Sequence, residues 1–339
     1  MKSATSVILS VLFLLSPLAL TVTLTPVFAD GLFEEMLSAS FGDRKATLVI
    51  KMTPPVVTTE TLSNKTQKPV IEFLLSDTTT NKTFSHVTYF ITIEKAGKKL
   101  LSDWFHDHSG NLRIQMKPSN LSQVAVYGEQ DPILNAYGGT ADSPVIAAGP
   151  IFLEGGLYHF IVRIATVDYD RTMLPDDNQP LFDGYLSVGN VENYIAAKDG
   201  KEIPFKITSY YDKLNNITFD SNATELSFSM PFNWNLSRIK NVNIFVHEEI
   251  SVPKSSNFAS SGYSGLINGM DVSKHLMLDN SNPKENIIHF MLPKDKLLSL
   301  VEQVENKSGS GGELMTFSLR PSMAMSGITT NMSSIGGMS

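Results

Sequence analysis

The chain has no cysteine among its 339 residues. Disulfides, thiolate zinc sites, iron–sulfur clusters and blue copper centres all draw sulfur from cysteine, so all of these are excluded. Charge is sparse as well: Asp, Glu, Lys and Arg make up 18% of the chain, and the formal net charge is −7. That composition offers no basic footprint for nucleic acid. Tryptophan occurs twice, as Trp104 and Trp234. After the first 29 residues no apolar run is long enough for a spanning helix, which needs about 20 residues.

The first 29 residues carry their own signal. Lys2 is followed by an apolar run from Val7 to Leu20, and the segment closes on Val27-Phe28-Ala29. Val27 and Ala29 are small residues at the −3 and −1 positions of a cleavage site, so residues 1–29 read as a secretory signal peptide. The alternative is a retained membrane anchor. Pro17, Thr21, Thr23 and Thr25 interrupt the run and favour cleavage. The expected location is secreted, on the cell surface or pseudo-periplasmic. An exported chain without disulfides must draw its stability from burial.

Eight N-x-Ser/Thr sequons stand at Asn64, Asn81, Asn120, Asn216, Asn222, Asn235, Asn306 and Asn331. They are N-glycosylation candidates, although a chain rich in Asn, Ser and Thr generates such triplets by composition alone.

Alternation of apolar and polar residues dominates the mature chain and predicts strands. His86 to Glu94 is the clearest case, with Val87, Tyr89, Ile91 and Ile93 on one face. Gly156 to Ile164 places Tyr158, Phe160, Val162 and Ile164 together, and Leu181 to Val188 suits its hairpin partner. Asn241 to Ile250 directs Val242, Ile244 and Val246 inward and Phe245, His247 and Glu249 outward. Helical spacing appears after Pro293, in Leu297, Leu298, Val301 and Val304. The expected fold is therefore mostly all-β, with two antiparallel β-sandwich domains. Residues 30–196 form the first, immunoglobulin-like sandwich. A linker-like stretch at Asn190 to Gly200 leads into the second, residues 197–320, with a short helix near its end. A Gly/Ser-rich loop, Lys307 to Gly312, and a flexible Met/Ser-rich tail, 321–339, complete the organisation.

Several stretches resemble exported β-sandwich proteins of ammonia-oxidising archaea, of the Thaumarchaeota type. They are His86-Val-Thr-Tyr-Phe-Ile-Thr-Ile-Glu-Lys, Asp103-Trp-Phe-His-Asp-His-Ser-Gly-Asn-Leu, Gly155-Gly-Leu-Tyr-His-Phe, Met230-Pro-Phe-Asn-Trp and His247-Glu-Glu-Ile-Ser-Val-Pro-Lys. The similarity runs over most of the mature chain. It implies an archaeal envelope setting and carries over no catalytic residue.

His106-Asp107-His108 is the sharpest chemical feature. Residues i and i+2 of a strand point the same way, so both imidazoles can reach one metal ion. Imidazole nitrogen suits copper or zinc. A third ligand would come from His86, Asp103 or Asp107; without one, the segment is a polar hairpin ahead of the turn at Ser109-Gly110. Met323 and Met325 lie in a tail that also holds Met332 and Met338, shortly after Met315. Thioether sulfur can hold Cu(I). Asp168, Asp170, Asp176, Asp177 and Asp183 could hold Ca²⁺, but their spacing is not that of an EF-hand, and a solvated acidic loop accounts for them as well. His159, His247 and His289 read as strand histidines at the surface, and a His247–His289 pair across adjacent strands rests on residue type alone.

No catalytic motif emerges. Gly262-Tyr-Ser-Gly265 lacks the last glycine of the nucleophile elbow, and His247-Glu248-Glu249 sits in a strand pattern rather than a zincin helix. The leading expectation is a non-enzymatic exported protein with a structural, adhesive or binding role, whose partners are envelope proteins or glycans. The alternative is an exported copper-binding protein using His106, His108 and His86, with the Met-rich tail as a second site. A carbohydrate reading would need Trp104 or Trp234 as an exposed stacking platform.

Overall fold

The computed structural model describes residues 33–139, 143–170, 172–241, 244–308 and 314–322. The stretch up to Ala29 read as a signal peptide, Val242, the Gly-rich residues 309–313 and the tail carrying Met323, Met325 and Asn331 lie outside the described residues.

The first sandwich contains strands β1 (Glu34–Phe41), β2 (Arg44–Thr53), β3 (Val70–Asp77), β4 (Val87–Lys95), β5 (Lys98–Asp107), β6 (Asn111–Pro118), β7 (Ala125–Tyr127), β8 (Glu129–Asp131), β9 (Ala136–Gly138), β10 (Val145–Gly149), β11 (Gly156–Thr166) and β12 (Leu181–Val188). They form two six-stranded sheets, in the orders β1-β2-β3-β6-β10-β7 and β12-β11-β4-β5-β9-β8. Pairing is antiparallel except for β6 with β10 and β5 with β9. The alternation seen in the sequence is what fills the interior. Leu48, Ile50 and Phe73 from one sheet meet Tyr89, Ile91 and Phe160 from the other in one core, and all six are fully buried. β11 and β12 form the expected hairpin pairing.

The second sandwich contains β13 (Asn190–Lys198), β14 (Lys201–Ser209), β15 (Asn215–Asp220), β16 (Glu225–Pro231), β17 (Val246–Pro253), β18 (Gly262–Ile267), β19 (Met270–Asp271), β20 (Leu276–Asp279), β21 (Glu285–Leu292) and β22 (Leu314–Ser322). Its sheets run β13-β14-β17-β21-β20 and β15-β16-β22-β18-β19. Phe205, Phe228, Phe258, Phe290 and Phe317 make the centre of its separate core. Helix α1 (Thr59–Ser63) belongs to the first sandwich; α2 (Leu236–Asn241) and α3 (Lys294–Ser308) belong to the second. α3 buries Leu297, Leu300 and Val301 against this core, with Leu298 only partly covered. Lys307 and Ser308, expected in a Gly/Ser-rich loop, end this helix.

The division between the sandwiches falls at Gly189, not near residue 197. The stretch read as a linker is β13 followed by a turn at Asp199-Gly200, and β13 pairs with β14 along its whole length. There is no spacer at the junction. The Gly189 N–H donates to the Val57 carbonyl at 2.8 Å, and Thr59 N–H donates to the Gly189 carbonyl at 2.8 Å. Leu157 N–H reaches the Tyr211 carbonyl at 3.2 Å, and Lys206 meets Glu60 of α1 at 2.5 Å. Among the described residues no helix is long and apolar enough to cross a membrane.

Candidate metal centre

Three histidines and one aspartate converge at one end of the first sandwich. β4 and β5 pair so that Thr88 faces His106 and Val87 faces Asp107, which brings His86 and His108 together one step beyond the ladder. His86 N–H donates to the His108 carbonyl at 3.0 Å. His86 itself is held at φ +52°, a left-handed conformation that non-glycine residues seldom adopt and that concentrates at functional sites. Beyond His108 the chain turns sharply. Asp107 Oδ1 accepts from Ser109 N–H, the Ser109 hydroxyl and Asn111 N–H, so this carboxylate shapes the turn and is no ligand. Gly110 completes the turn at φ +73°; a Cβ there would lie 1.9 Å from the Phe84 carbonyl oxygen.

The fourth donor comes from a distant segment. The ladder between β11 and β4 shifts register between Ile164 and Thr166, and such bulges re-aim the chain that follows. The loop then docks through Asp168, whose N–H reaches the Ser85 carbonyl at 2.6 Å and whose carboxylate meets Arg44 at 2.7 Å. This places Asp170 Oδ1 2.5 Å from His86 Nδ1, 3.1 Å from His106 Nε2 and 3.6 Å from His108 Nδ1. Between the imidazoles, His106 Nε2 lies 3.4 Å from His108 Nδ1, which lies 3.2 Å from His86 Nδ1. All four donor atoms fall within 4.8 Å of one another. A tetrahedral ion with bonds of about 2.0–2.1 Å sets its ligands about 3.3 Å apart. The His106 and His108 separations from Asp170, and those of His108 from His106 and His86, are within a few tenths of that edge. His86 and Asp170 are closer, at hydrogen-bond length.

A second layer of contacts orients His106. Its Nδ1 lies 2.9 Å from Thr88 Oγ1, and Thr88 Oγ1 lies 2.7 Å from Thr166 Oγ1. With Nδ1 engaged by a hydroxyl, Nε2 is the nitrogen that faces the other donors. Burial lowers the His106 pKa, the neighbouring His108 works in the same direction and Asp170 opposes them; the net shift favours the neutral ring that a ligand needs. Partial burial opposes ionisation of Asp170, but the hydrogen bond and charge interaction with His86, with smaller contributions from His106 and His108, outweigh it and hold the carboxyl below its ordinary range. The four residues differ in access: His106 is 4% exposed, whereas His108 is open to solvent. A cleft of about 300 Å³ lies against His106 and His108, walled by Glu129, Gln130, Asp131 and the Gly138-Gly139 backbone.

The structure therefore brings His86, His106 and His108 together and adds Asp170, which in the sequence belongs to an acidic cluster. That cluster does not form. Asp168 pairs with Arg44, Asp183 with His159 and Asp170 with the histidines, and Asp176 accepts from Gln179. Asp103 accepts from the N–H of Trp104 and takes no part in the site. Met315, read with the Met-rich tail, is fully buried in the second core. Trp234 is 4% exposed and donates to the Leu314 carbonyl at 3.0 Å, so it offers no stacking platform. Trp104 is half-buried against Phe90, with ring centroids 4.8 Å apart. His159 is held between Asp183 and Glu94 and stacks on Tyr185. Of the sequons, Asn64, Asn81, Asn120, Asn216, Asn222 and Asn235 are exposed, and Asn306 lies on α3.

Two histidines expected at the surface are not there. His247 is buried and His289 is largely covered, and they form a second cluster with Glu249. No protein-family model matches this chain, and neither a curated protein nor a solved structure does.

Proposed function

We propose that this chain is an exported metal-binding protein that holds one divalent transition ion, Cu(II) foremost, on His86, His106, His108 and Asp170. The observation that carries this reading is the convergence of four ligand atoms from three chain segments within 4.8 Å of one another, with four of their separations, 3.1–3.6 Å, near those of ligands on a single ion. Three imidazoles and one carboxylate suit Cu(II) or Zn(II), and the usual order of affinities places Cu(II) first. The cleft beside His106 and His108 leaves room for water or a small ligand at the ion. The absence of cysteine leaves nitrogen, oxygen and thioether sulfur as the only donors in the chain.

The export reading and the archaeal envelope setting belong to the same proposal. A surface role as structural, adhesive or binding protein is the second reading. The tight junction at Gly189 and the six exposed sequon asparagines favour it. The two readings are compatible.

The test is titration of the purified, metal-free chain with Cu(II), followed by electron paramagnetic resonance of the bound ion. The wild type should show nitrogen hyperfine structure from several imidazoles. His106→Ala/His108→Ala should lose one equivalent of Cu(II), and Asp170→Asn should weaken that equivalent about tenfold or more. Unchanged Cu(II) binding by the double variant would remove the site.

A further inference from the structure

The second sandwich carries its own convergence of donors, on the outer face of the sheet β13-β14-β17-β21-β20. His247 and Glu249 are i and i+2 on β17, so they share a face. The β17–β21 register sets Glu249 opposite His289 and His247 two pairs further on, opposite Met291. His247 Nε2 thus lies 3.0 Å from His289 Nδ1, and Glu249 Oε1 lies 3.6 Å from the first nitrogen and 3.5 Å from the second. These three separations make a triangle close to one face of a tetrahedral zinc shell, whose edge is about 3.3 Å.

The surroundings hold the three side chains in place. Tyr210 stacks on the His247 ring with centroids 4.9 Å apart at 14°, and its hydroxyl donates to Glu249. Its N–H also donates to the His247 carbonyl at 3.1 Å. Nδ1 of His247 is buried and has no hydrogen-bond partner among the described residues, so all the polar contacts of this ring point toward His289 and Glu249.

We infer that His247, His289 and Glu249 form a second metal site, separate from the first, for a divalent transition ion of the zinc type. Two imidazoles and one glutamate are a known zinc ligand set, with the fourth position left to water or a ligand. Tyr210 acts as a positioning residue through Glu249.

The experiment counts Zn(II) retained by the metal-free full chain after reloading and dialysis, and reads Co(II) absorption as a report on geometry. The wild type should hold two ions and His106→Ala/His108→Ala one, with that ion giving the intense bands of four-coordinate Co(II). Adding Glu249→Gln, at a partly exposed position that leaves the core untouched, should weaken this ion about tenfold or more and change its spectrum. His289→Gln should do the same, with circular dichroism and melting temperature certifying the fold of each variant. An ion-free His106→Ala/His108→Ala protein overturns the inference while leaving the first site standing. So does an ion indifferent to Glu249→Gln and His289→Gln. If the wild type holds one ion, lost in His289→Gln and kept in His106→Ala/His108→Ala, the second site stands and the first falls.

Discussion

Thr88 Oγ1 sits 2.9 Å from Nδ1 of His106, at the ring nitrogen that does not face the other donors. Both side chains are buried, so each is the other's means of satisfying a polar atom away from water. When Nε2 ligates, Nδ1 carries the ring proton and donates to the hydroxyl. The contact therefore fixes the tautomer as well as the orientation.

Replacing Thr88 with valine keeps the shape and removes the acceptor. Metal affinity at the first site should fall about 10- to 100-fold, as for other second-layer contacts. The apo fold should lose about 1–3 kcal/mol, because a buried N–H is left unpaired. Thr88→Ser should restore most of both. Isothermal titration with Cu(II) and a denaturant midpoint measure the two effects separately.

The pH dependence of the apo protein should be set in part by Glu248, which lies between His247 and Glu249 on β17 but points into the core. It is fully buried and accepts from the Ser209 hydroxyl at 3.0 Å. Burial pushes its pKa well above the ordinary carboxyl range, and the charges of Glu249 and Asp212 add to the push, against the Ser209 bond. A raised folded pKa means that the contribution of the protonated form is complete below the unfolded value of about 4.5 and is lost as pH rises toward the folded one. His247 works the other way. With a folded pKa of about 4 against about 6.5 when unfolded, its contribution is complete above 6.5 and is lost as pH falls toward 4, by up to about 3 kcal/mol. Glu248→Gln should therefore abolish much of the stability decline from pH 5 to pH 8 and leave the acid limb in place. Urea midpoints across pH 4 to 8 test this. An unaltered slope above pH 5 in the variant would show that Glu248 does not govern it.

At the domain junction, close packing should matter more than charge. Lys206 and Glu60 are both about half exposed, so Glu60→Gln should cost less than about 1 kcal/mol. A Cβ at Gly155 would lie 2.3 Å from Cβ of Asn190, the first residue of β13. Gly155→Ala should therefore cost more than about 2 kcal/mol and lower the melting temperature of the chain. Equal effects of the two substitutions would contradict this ranking.

The sequence reveals local geometry better than long-range encounter. Two β-sandwiches follow from alternation alone, because the same period-two pattern that marks a strand also fills its core. His106 and His108 are legible as a pair because strand geometry relates i to i+2 without any partner. His86 is nearly so, since one hairpin register places it opposite His108. Asp170 is not. It arrives on a loop that follows a bulge in β11, and neither the bulge nor the docking of Asp168 on Ser85 leaves a trace in spacing. The His247–His289 contact depends on a register between strands 42 residues apart, with three other strands intervening. β13 hides the domain boundary: it is an edge strand whose Asn190, Glu192 and Asn193 look like linker residues because one side of it has no strand partner among the described residues.

The first site joins His86 to Asp170, 84 positions apart in a chain that has no covalent bridge of its own. An ion held there would be a cross-link that can be withdrawn. Such a link adds RT ln(1 + [M]/Kd) to the resistance against unfolding, so durability would follow the supply of metal around the protein. Starved of metal, the protein would become the softer target for proteases, and its abundance would report on the ion it binds.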